Sequence, residues 1–328
     1  MSAPSRPTDL VVLHAGDMPP GIAAVADEPR LTSIRYATAE QLPEALPGAN
    51  ALFVWDLFSE ALAGAWGKAD SLEWVHAATA GVNHLMFPAS VHSDVTITNS
   101  RGVFDEPIAE YVLGLVLAFA KDLGTTLDLQ HRREWHHRET ERVGNRTALV
   151  AGTGPIGRAI ARQLTAIGMQ VTGVGRVAKA DDPDFGRVVA STDLHEVLPD
   201  ADYIVLAAPL TDATRGMIDA AALQHMRPSA RVINVGRGDL VVQDDLVAAL
   251  QHETIAGAAL DVFAEEPLPK DSPLWHLPNS IVSPHMSGDV VGWREELVRL
   301  FQDNLDRFLD GRELRNVVDK QRGYVSGT

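Results

Sequence analysis

A single stretch, Thr147 to Arg176, limits the possible folds of this chain more than any other part of its sequence. It opens with a short apolar run, residues 148–151, which is typical of a buried parallel strand. A turn with the spacing G-x-G-x-x-G comes directly after this run, and such a turn lets the backbone approach a bound phosphate closely. Its glycines are Gly152, Gly154 and Gly157.

The residues after this turn predict a helix and a second strand. Pro155 stands where the first helical residue should be, and its fixed φ suits that place. Apolar residues recur at helical spacing up to Gly168, which is expected to end the helix in the left-handed conformation. Residues 170–174 then read as a strand. This unit of about 30 residues places a pyrophosphate on a helix N-terminus. We therefore predict that the turn, with Pro155 and Ile156, binds a dinucleotide, a purely structural turn being the alternative.

The end of the second strand bears on the choice of cofactor. An acidic residue usually stands there and accepts hydrogen bonds from the adenosine ribose. Here the strand runs into Arg176, and no carboxylate occurs before Asp181. Because a 2′-phosphate would find a cation and no repelling anion, we predict NADP as the preferred cofactor, with NAD as the alternative. A solvated surface arginine is the competing interpretation of Arg176.

The composition bounds the class of protein. A length of 328 residues is long for one core, so two domains are expected. The formal charge of −16, from 44 acidic and 28 basic residues, argues against nucleic acid or an anionic membrane as a partner. Cysteine is absent, which excludes disulfides, thiolate metal sites and cysteine nucleophiles. The longest apolar stretch has about half the length of a membrane span, and the N-terminus lacks a signal-like apolar core. We predict a soluble, cytoplasmic protein.

Alternating strand and helix patterns predict an α/β fold with parallel sheets. In the first part of the chain, the strand-length apolar runs are 10–13, 51–54, 74–77 and 95–98. After the glycine motif, the predicted strands are 203–207, 231–235, 255–262 and 280–283.

These patterns divide the chain into two doubly wound parallel-sheet domains. An amphipathic helix over 293–309 is expected to return the chain to the first of them. We predict a smaller, flavodoxin-like substrate domain formed by residues 1–98 and 290–328. The larger domain, residues 99–289, is predicted to be a Rossmann dinucleotide-binding domain.

The segment before the glycine motif contains a helix and a polar arm. Residues 105–121, with Asp105 as a predicted N-cap, form a helical pattern that is apolar almost all round and should be buried. Residues 124–146 are polar and rich in His and Arg. No carboxylate pattern gives their histidines a ligand geometry, so we predict no metal site and interpret the segment as a surface arm or a subunit contact.

Three polar side chains follow the ends of successive predicted strands. They are Arg237, Glu266 and His285. In an open parallel sheet, ligands bind beyond the carboxyl ends of the strands. Near a nicotinamide, an imidazole can give a proton to a carbonyl oxygen, a carboxylate can hold that imidazole in one tautomer, and a guanidinium can bind a substrate carboxylate. Taken singly, each residue fits an ordinary loop or surface role equally well. Their common position after the strands favours an active site.

Several motifs of this sequence together resemble those of a known protein family. The chain resembles the D-isomer-specific 2-hydroxyacid dehydrogenase family over nearly its whole length, in motifs that occur in the family's order and spacing. The motifs are the glycine turn, Asn234-Val235-Gly236-Arg237-Gly238, Leu260-Asp261-Val262-Phe263 with Glu266-Pro267-Leu268, and Pro284-His285, together with Ala80-Gly81-Val82 and Ala109-Glu110.

The resemblance implies roles for individual residues. It makes Arg237, Glu266 and His285 the catalytic trio and places Asp261 against the nicotinamide carboxamide. The further residues that it implies around the cofactor are Pro209, Thr214, Val235, Gly236 and Gly288. It also implies that a small-residue turn binds the substrate carboxylate through its backbone, whereas composition alone favours an ordinary turn there. That turn consists of Thr79, Ala80, Gly81 and Val82.

The resemblance also implies an assembly and a reaction. Family members are usually homodimers, and Trp135 matches a tryptophan often found in the arm that forms the interface. Glu266 stands where formate dehydrogenases have glutamine, and Gly175-Arg176 is similar to NADP-preferring glyoxylate and hydroxypyruvate reductases. We predict an NAD(P)-dependent enzyme that interconverts a small 2-keto acid and a D-2-hydroxy acid. A dinucleotide-sensing binding protein that resembles co-repressors, without significant turnover, is the alternative.

Overall fold

The computed structural model describes residues 8–325, which divide into two compact units. The first unit runs up to Phe104 and resumes at Val290, and the second covers Asp105–Asp289. The sequence placed the first boundary slightly earlier, at 98/99. Residues 99–101 belong with the first unit because Asn99 and Ser100 are hydrogen-bonded to the 77–80 segment.

The first unit is built on a five-stranded parallel sheet with the order β2-β1-β3-β4-β5. This is the strand order of flavodoxin-like folds. The strands are β1 (Thr8–Leu13), β2 (Leu31–Ala37), β3 (Ala51–Val54), β4 (Trp74–Ala77) and β5 (Thr96–Thr98). The helices of this part are α1 (Leu42–Ala45), α2 (Ala61–Ala65) and α3 (Pro88–Val91), with 3-10 turns at Ile22–Asp27, Trp66–Lys68 and Asn83–Leu85.

Both faces of this sheet are buried, as the alternation along β1 shows. Val11 and Leu13 lie in one hydrophobic cluster, and Leu10 and Val12 lie in the opposite one. The second cluster is covered by the last helix, whose Phe301 ring stacks on Phe53 at a centroid distance of 4.0 Å. The last helix therefore packs on the sheet of the first unit.

The second unit contains an eight-stranded sheet with the order β13-β12-β11-β10-β6-β7-β9-β8. Apart from the antiparallel edge pair β8–β9, all neighbours are parallel, and the inner order is that of a Rossmann fold. The strands are β6 (Thr147–Ala151), β7 (Gln170–Gly175), β8 (Lys179–Asp182), β9 (Gly186–Ala190), β10 (Tyr203–Leu206), β11 (Arg231–Asn234), β12 (Gly257–Leu260) and β13 (Ser280–Val282).

Helices cover this sheet on both faces. One face packs against α7, α8 and α9 through residues such as Leu223 and Leu246. On the other face, β6 and β7 contact α6, and α6 packs against α4. The helices are α4 (Asp105–Ala120), α5 (Leu123–Arg132), α6 (Pro155–Ala166), α7 (Leu194–Val197), α8 (Ala220–His225) and α9 (Gln243–Gln251), with 3-10 turns at Ser191–Asp193, Leu198–Asp200, Gly238–Leu240 and Pro273–Trp275.

The chain ends in the first unit with α10 (Trp293–Leu309) and the short antiparallel pair β14 (Val318–Asp319) and β15 (Tyr324–Val325). The helix α10 has the predicted bounds. The sequence did not predict β2, the β8–β9 hairpin or this C-terminal pair. Within residues 8–325, no helix combines the length and the apolar character needed to cross a bilayer.

Candidate active site

Glu266 and His285 meet beyond the carboxyl ends of β12 and β13. Glu266 Oε2 lies 2.7 Å from His285 Nδ1, and Glu266 Oε1 accepts a hydrogen bond of 2.9 Å from the Phe263 amide. The carboxylate is therefore fixed at both oxygens. A carboxylate acceptor at Nδ1 keeps the proton on that nitrogen, which selects one tautomer of the imidazole.

The carboxyl of Glu266 is held in its charged form. Partial burial works to raise the pKa of Glu266, but the hydrogen bonds from His285 and Phe263, with the nearby charges of His285 and Arg237, outweigh it. The net pKa of Glu266 lies below its ordinary value. Glu266 is thus electrostatically coupled to both other members of the trio.

Arg237 reaches this region because of the glycines on either side of it. A Cβ at Gly238 would lie 1.9 Å from the carbonyl carbon of Phe263, so only glycine allows the loop after β11 to touch the 263–266 loop. The Arg237 guanidinium donates through Nη1 to the carbonyl of Gly236 at 2.6 Å. Burial lowers the pKa of Arg237, and the nearby Glu266 carboxylate acts in the opposite direction.

The His285 loop is anchored by a buried carboxylate, that of Asp261. Its Oδ1 accepts from the Ser283 hydroxyl at 2.6 Å and from the Met286 amide at 2.9 Å, and its Oδ2 accepts from the Ser287 amide at 2.9 Å. These bonds bracket His285, whose φ of +52° is uncommon for a residue with a side chain. Asp261 was singled out from the sequence for the cofactor, and its contact with the histidine loop was not foreseen.

The glycine turn has the shape that a pyrophosphate requires. A Cβ at Gly157 would lie 1.8 Å from the carbonyl oxygen of Gly152, and Gly152 itself has a φ of +115°. These two glycines therefore bring the start of α6 against the end of β6. A Cβ at Gly154, the N-cap of α6, would meet nothing within 4 Å. Because the position of this Cβ is open and the first-turn amides of a helix have no intrahelical partner, the turn fits a bound dinucleotide.

The other predicted cofactor residues lie along the same edge of the sheet. The turn after β10 is closed by Thr214, whose hydroxyl donates to the Pro209 carbonyl at 2.7 Å and accepts from the Thr211 amide at 2.8 Å. After β11, the Val235 amide donates a hydrogen bond to the Leu206 carbonyl. The remaining two glycines are buried: a Cβ at Gly236 would lie 2.8 Å from Leu240 Cδ1, and Gly288 follows the His285 loop.

Arg176 is exposed beside the glycine turn. A Cβ at its neighbour Gly175 would lie 3.0 Å from the hydroxyl of Thr153, so the end of β7 abuts the turn. The next buried carboxylate, Asp182, is neutralised by Arg158, whose Nη1 and Nη2 donate to it at 2.9 and 3.0 Å. The hydrogen bonds from Arg158 lower the pKa of Asp182 to about 2. Arg176 is thus the cation at the strand end, while Asp182 is engaged elsewhere.

The small-residue turn after β4, in the first unit, presents amides rather than carbonyls. The Thr79 carbonyl accepts from the Ser100 amide at 2.9 Å, the Ala80 carbonyl from Asn99 Nδ2 at 2.5 Å, and the Gly81 carbonyl from the Thr79 hydroxyl at 2.7 Å. Within residues 8–325, the amides of residues 79–82 donate no hydrogen bond. A run of unpaired amides with satisfied carbonyls is suited to an anion.

Trp55, which follows β3, is only 4% exposed and packs in the core, whereas Phe58 is 54% exposed. No group of three or more acidic, histidine or cysteine side chains that would suit a metal ion occurs between residues 8 and 325.

Comparison with known proteins identifies the family. Residues 113–287 match the model of the D-isomer specific 2-hydroxyacid dehydrogenase, NAD binding domain. Glyoxylate/hydroxypyruvate reductase B of Pectobacterium carotovorum is 32% identical over 277 residues, which cover 80% of this chain and 86% of that protein.

Solved structures resemble the whole chain. The D-isomer specific 2-hydroxyacid dehydrogenase of Xanthobacter autotrophicus, in complex with NADPH and MES, is 31% identical with a TM-score of 0.81, over 97% of this chain and 100% of that one. The NADPH-dependent glyoxylate/hydroxypyruvate reductase of Sinorhizobium meliloti, in complex with NADP and sulfate, is 27% identical with a TM-score of 0.82, over 97% and 100%.

The fold, the glycine turn and these likenesses define a dinucleotide-dependent oxidoreductase. The chain belongs to the D-isomer specific 2-hydroxyacid dehydrogenase family. It is an NAD(P)-dependent oxidoreductase of 2-hydroxy acids.

Proposed function

We propose that this protein reduces a small 2-keto acid to the D-2-hydroxy acid, with Arg237, Glu266 and His285 as its catalytic residues. The main support for the proposal is the 2.7 Å contact between Glu266 Oε2 and His285 Nδ1, near the half-buried Arg237. Glyoxylate and hydroxypyruvate, the substrates named for relatives, are the first candidates, followed by bulkier keto acids.

Each of the three residues has its own task in this proposal. A bound nicotinamide supplies the hydride in reduction and accepts it in oxidation. His285 gives a proton from Nε2 to the carbonyl oxygen of the keto acid and takes it back in the reverse direction. Glu266 holds the proton on Nδ1 and stabilises the charged imidazole. Arg237 binds and polarises the substrate with a rigid fork of donors.

The substrate carboxylate is assigned to the amides of the turn after β4. The turn consists of Thr79, Ala80, Gly81 and Val82. Their carbonyls accept hydrogen bonds from within the first unit, and their amides do not donate within the described part of the chain. Because the chain carries a net charge of −16, an anionic substrate needs local donors of this kind.

The preferred cofactor in this proposal is NADP. Arg176 stands at the end of β7, where a ribose-binding carboxylate would favour NAD, and Asp182 is already paired with Arg158. The phosphates are assigned to the glycine turn and the start of α6. The role of Asp261 in this scheme is to face the nicotinamide while holding the His285 loop.

A homodimer and a cytoplasmic location complete the proposal. The support for a dimer is the exposure of large apolar side chains on α5 and the following arm, namely Leu123 at 46%, Leu127 at 54% and Trp135 at 102%. Burial of such side chains against a second copy would be favourable. Light scattering of the purified protein tests the dimer, since a monomeric mass would contradict it.

The decisive test of the function is turnover. We expect the protein to reduce glyoxylate, hydroxypyruvate or a larger 2-keto acid with NADPH faster than with NADH. A panel of 2-keto acids assayed with both cofactors measures this directly. Binding of NADPH without reduction of any member of the panel would contradict the proposal and favour a dinucleotide-sensing protein.

A further inference from the structure

The turn after β4 is held by a residue outside the proposed catalytic trio. Asn99, which follows β5, is 3% exposed. Its Nδ2 donates to the Ala80 carbonyl at 2.5 Å, and its Oδ1 accepts from the Arg101 amide at 3.2 Å. The side chain therefore donates to the 79–82 turn through Nδ2 while its Oδ1 accepts from the backbone of Arg101.

A C-terminal residue holds Asn99 in turn. The Asn99 amide donates to the Asn316 carbonyl at 3.2 Å, and Asn316 Nδ2 donates to the carbonyls of Asn99 and Arg101 at 3.2 and 2.8 Å. Asn316 has a φ of +57°, a conformation that asparagine tolerates better than most residues. An isolated bridge between Thr98 and Val317 continues the contact. Residues that are far apart in sequence therefore form one connected network.

The geometry of this network determines which way the turn faces. A peptide group has its carbonyl and its amide on opposite sides. The bond from Asn99 to the Ala80 carbonyl therefore directs the amide of Gly81, which belongs to the same peptide group, the other way. The Ser100 amide does the same for the peptide between Thr79 and Ala80. Without the Asn99 donor, the Ala80 carbonyl would lose the hydrogen bond that fixes its direction.

We propose that Asn99 is a positioning residue for the substrate carboxylate, and that Asn316 makes the C-terminal segment a part of this site. The proposal rests on the proposed function, because it assumes that the 79–82 turn binds a carboxylate. In this proposal the C-terminal segment that contains Asn316 contributes to substrate affinity in addition to stability. Asn99 acts through the turn and does not touch the reacting atoms.

The same tail offers a matched control. Lys320 Nζ donates to the carbonyls of Ser90, Ser93 and Val95 at 3.2, 2.5 and 3.0 Å. It therefore anchors the C-terminal segment to the first unit without touching the 79–82 turn. A substitution at Lys320 weakens the attachment of the tail, and it separates general destabilisation from misorientation of the turn.

The experiment compares Asn99→Ala, Asn316→Gly and Lys320→Met with the unaltered protein. Glycine at 316 retains the positive φ and removes only the side-chain donor. Four quantities are measured: the Kd of oxamate, an unreactive carboxylate analogue of glyoxylate, with NADPH present; the Kd of NADPH; and the KM and the kcat for glyoxylate or the best keto acid. Thermal unfolding gives Tm for each variant.

We expect Asn99→Ala to raise the oxamate Kd and the substrate KM about five- to tenfold, the effect of one lost hydrogen bond. The kcat and the Kd of NADPH should change less than about twofold, since neither depends on this bond. Asn316→Gly should raise the oxamate Kd and the substrate KM by a smaller factor. Lys320→Met should lower Tm and leave the oxamate Kd and the substrate KM unchanged.

Two results would overturn the inference. An unchanged oxamate Kd in a folded Asn99→Ala or Asn316→Gly protein, with an active parent, would show that the network is only structural. An equal rise of the oxamate Kd in Lys320→Met would show that any loosening of the tail has the same effect. If the parent protein neither binds oxamate nor reduces a keto acid, the proposed function fails first, and that outcome is distinct from both.

Discussion

Glu266 Oε2 and His285 Nδ1 lie 2.7 Å apart, although the two residues belong to different loops. The contact fixes the histidine tautomer and joins the loops that follow β12 and β13. We expect Glu266→Gln to lower kcat/KM about ten- to hundredfold, because an amide does not stabilise a charged imidazole. Glu265→Gln, the matched control at the exposed neighbouring position, should change kcat/KM little. Equal kinetics for the two variants would argue against a role for this contact.

The pH dependence of the same pair is predictable in direction. The pKa of Glu266 is lowered, so its carboxylate persists at pH values below the ordinary 4.5. The acid side of the rate profile should therefore stay high until that range is reached. A plot of kcat/KM against pH measures this, and an acid-side fall that begins well above pH 4.5 would contradict the charged state assigned to Glu266.

Cofactor preference is expected to depend on Arg176. Replacement by alanine should raise the KM for NADPH about tenfold and leave that for NADH nearly unchanged, because only the 2′-phosphate uses the guanidinium. Steady-state kinetics with both cofactors measure this. The control is Arg187→Ala, at another exposed arginine of the same unit. A parent enzyme that prefers NADH would refute the assignment of Arg176.

The stability of the first unit should fall in mild acid because of His76. This residue is fully buried, and burial lowers its pKa to about 3, against 6.5 in the unfolded chain. Its Nδ1 meets the hydroxyl of Thr98 at 2.8 Å, and its Nε2 has no partner in the described part of the chain. Between these two pKa values the unfolded chain binds a proton that the folded chain does not, so stability is full above about pH 6.5 and is lost as the pH falls.

This loss amounts to about 2 kcal/mol at pH 5 if His76 is the sole cause. We expect His76→Asn to be less stable at neutral pH but to lose less of its stability between about pH 7 and 5. The free energy of unfolding by urea at the two pH values gives the comparison. His137→Asn, at an exposed histidine, is the control. An equal pH slope in the parent and in His76→Asn would refute the attribution.

The glycine turn and the meeting of Glu266 with His285 could be predicted because their signals are local or follow from topology. The signals for the strand, turn and helix around Gly152 lie in adjacent residues, and the bounds of α10 follow from helical periodicity. Arg237, Glu266 and His285 were expected to meet because parallel strands end at one edge of a sheet. The structure places their loops at that edge.

Other features had no local signal. The edge strand β2 carries Ser33 and Arg35 among its apolar residues, and the β8–β9 hairpin is largely polar, so neither shows a clear alternation. The bonds between Asn99 and Asn316 join residues more than two hundred positions apart. The hydrogen bonds that Asp261 accepts from the His285 loop likewise depend on the register of two strands. Such contacts follow from the folded geometry and not from residue spacing.

The kcat/KM values of His285→Ala and Arg237→Ala for the best 2-keto acid with NADPH are the most direct test of the proposed catalytic trio. Both should fall at least about a hundredfold, the scale of a lost acid–base or charge-binding group, with the Kd of NADPH nearly unchanged. Turnover close to that of the parent enzyme in either variant would contradict the assignment of this trio as the catalytic centre.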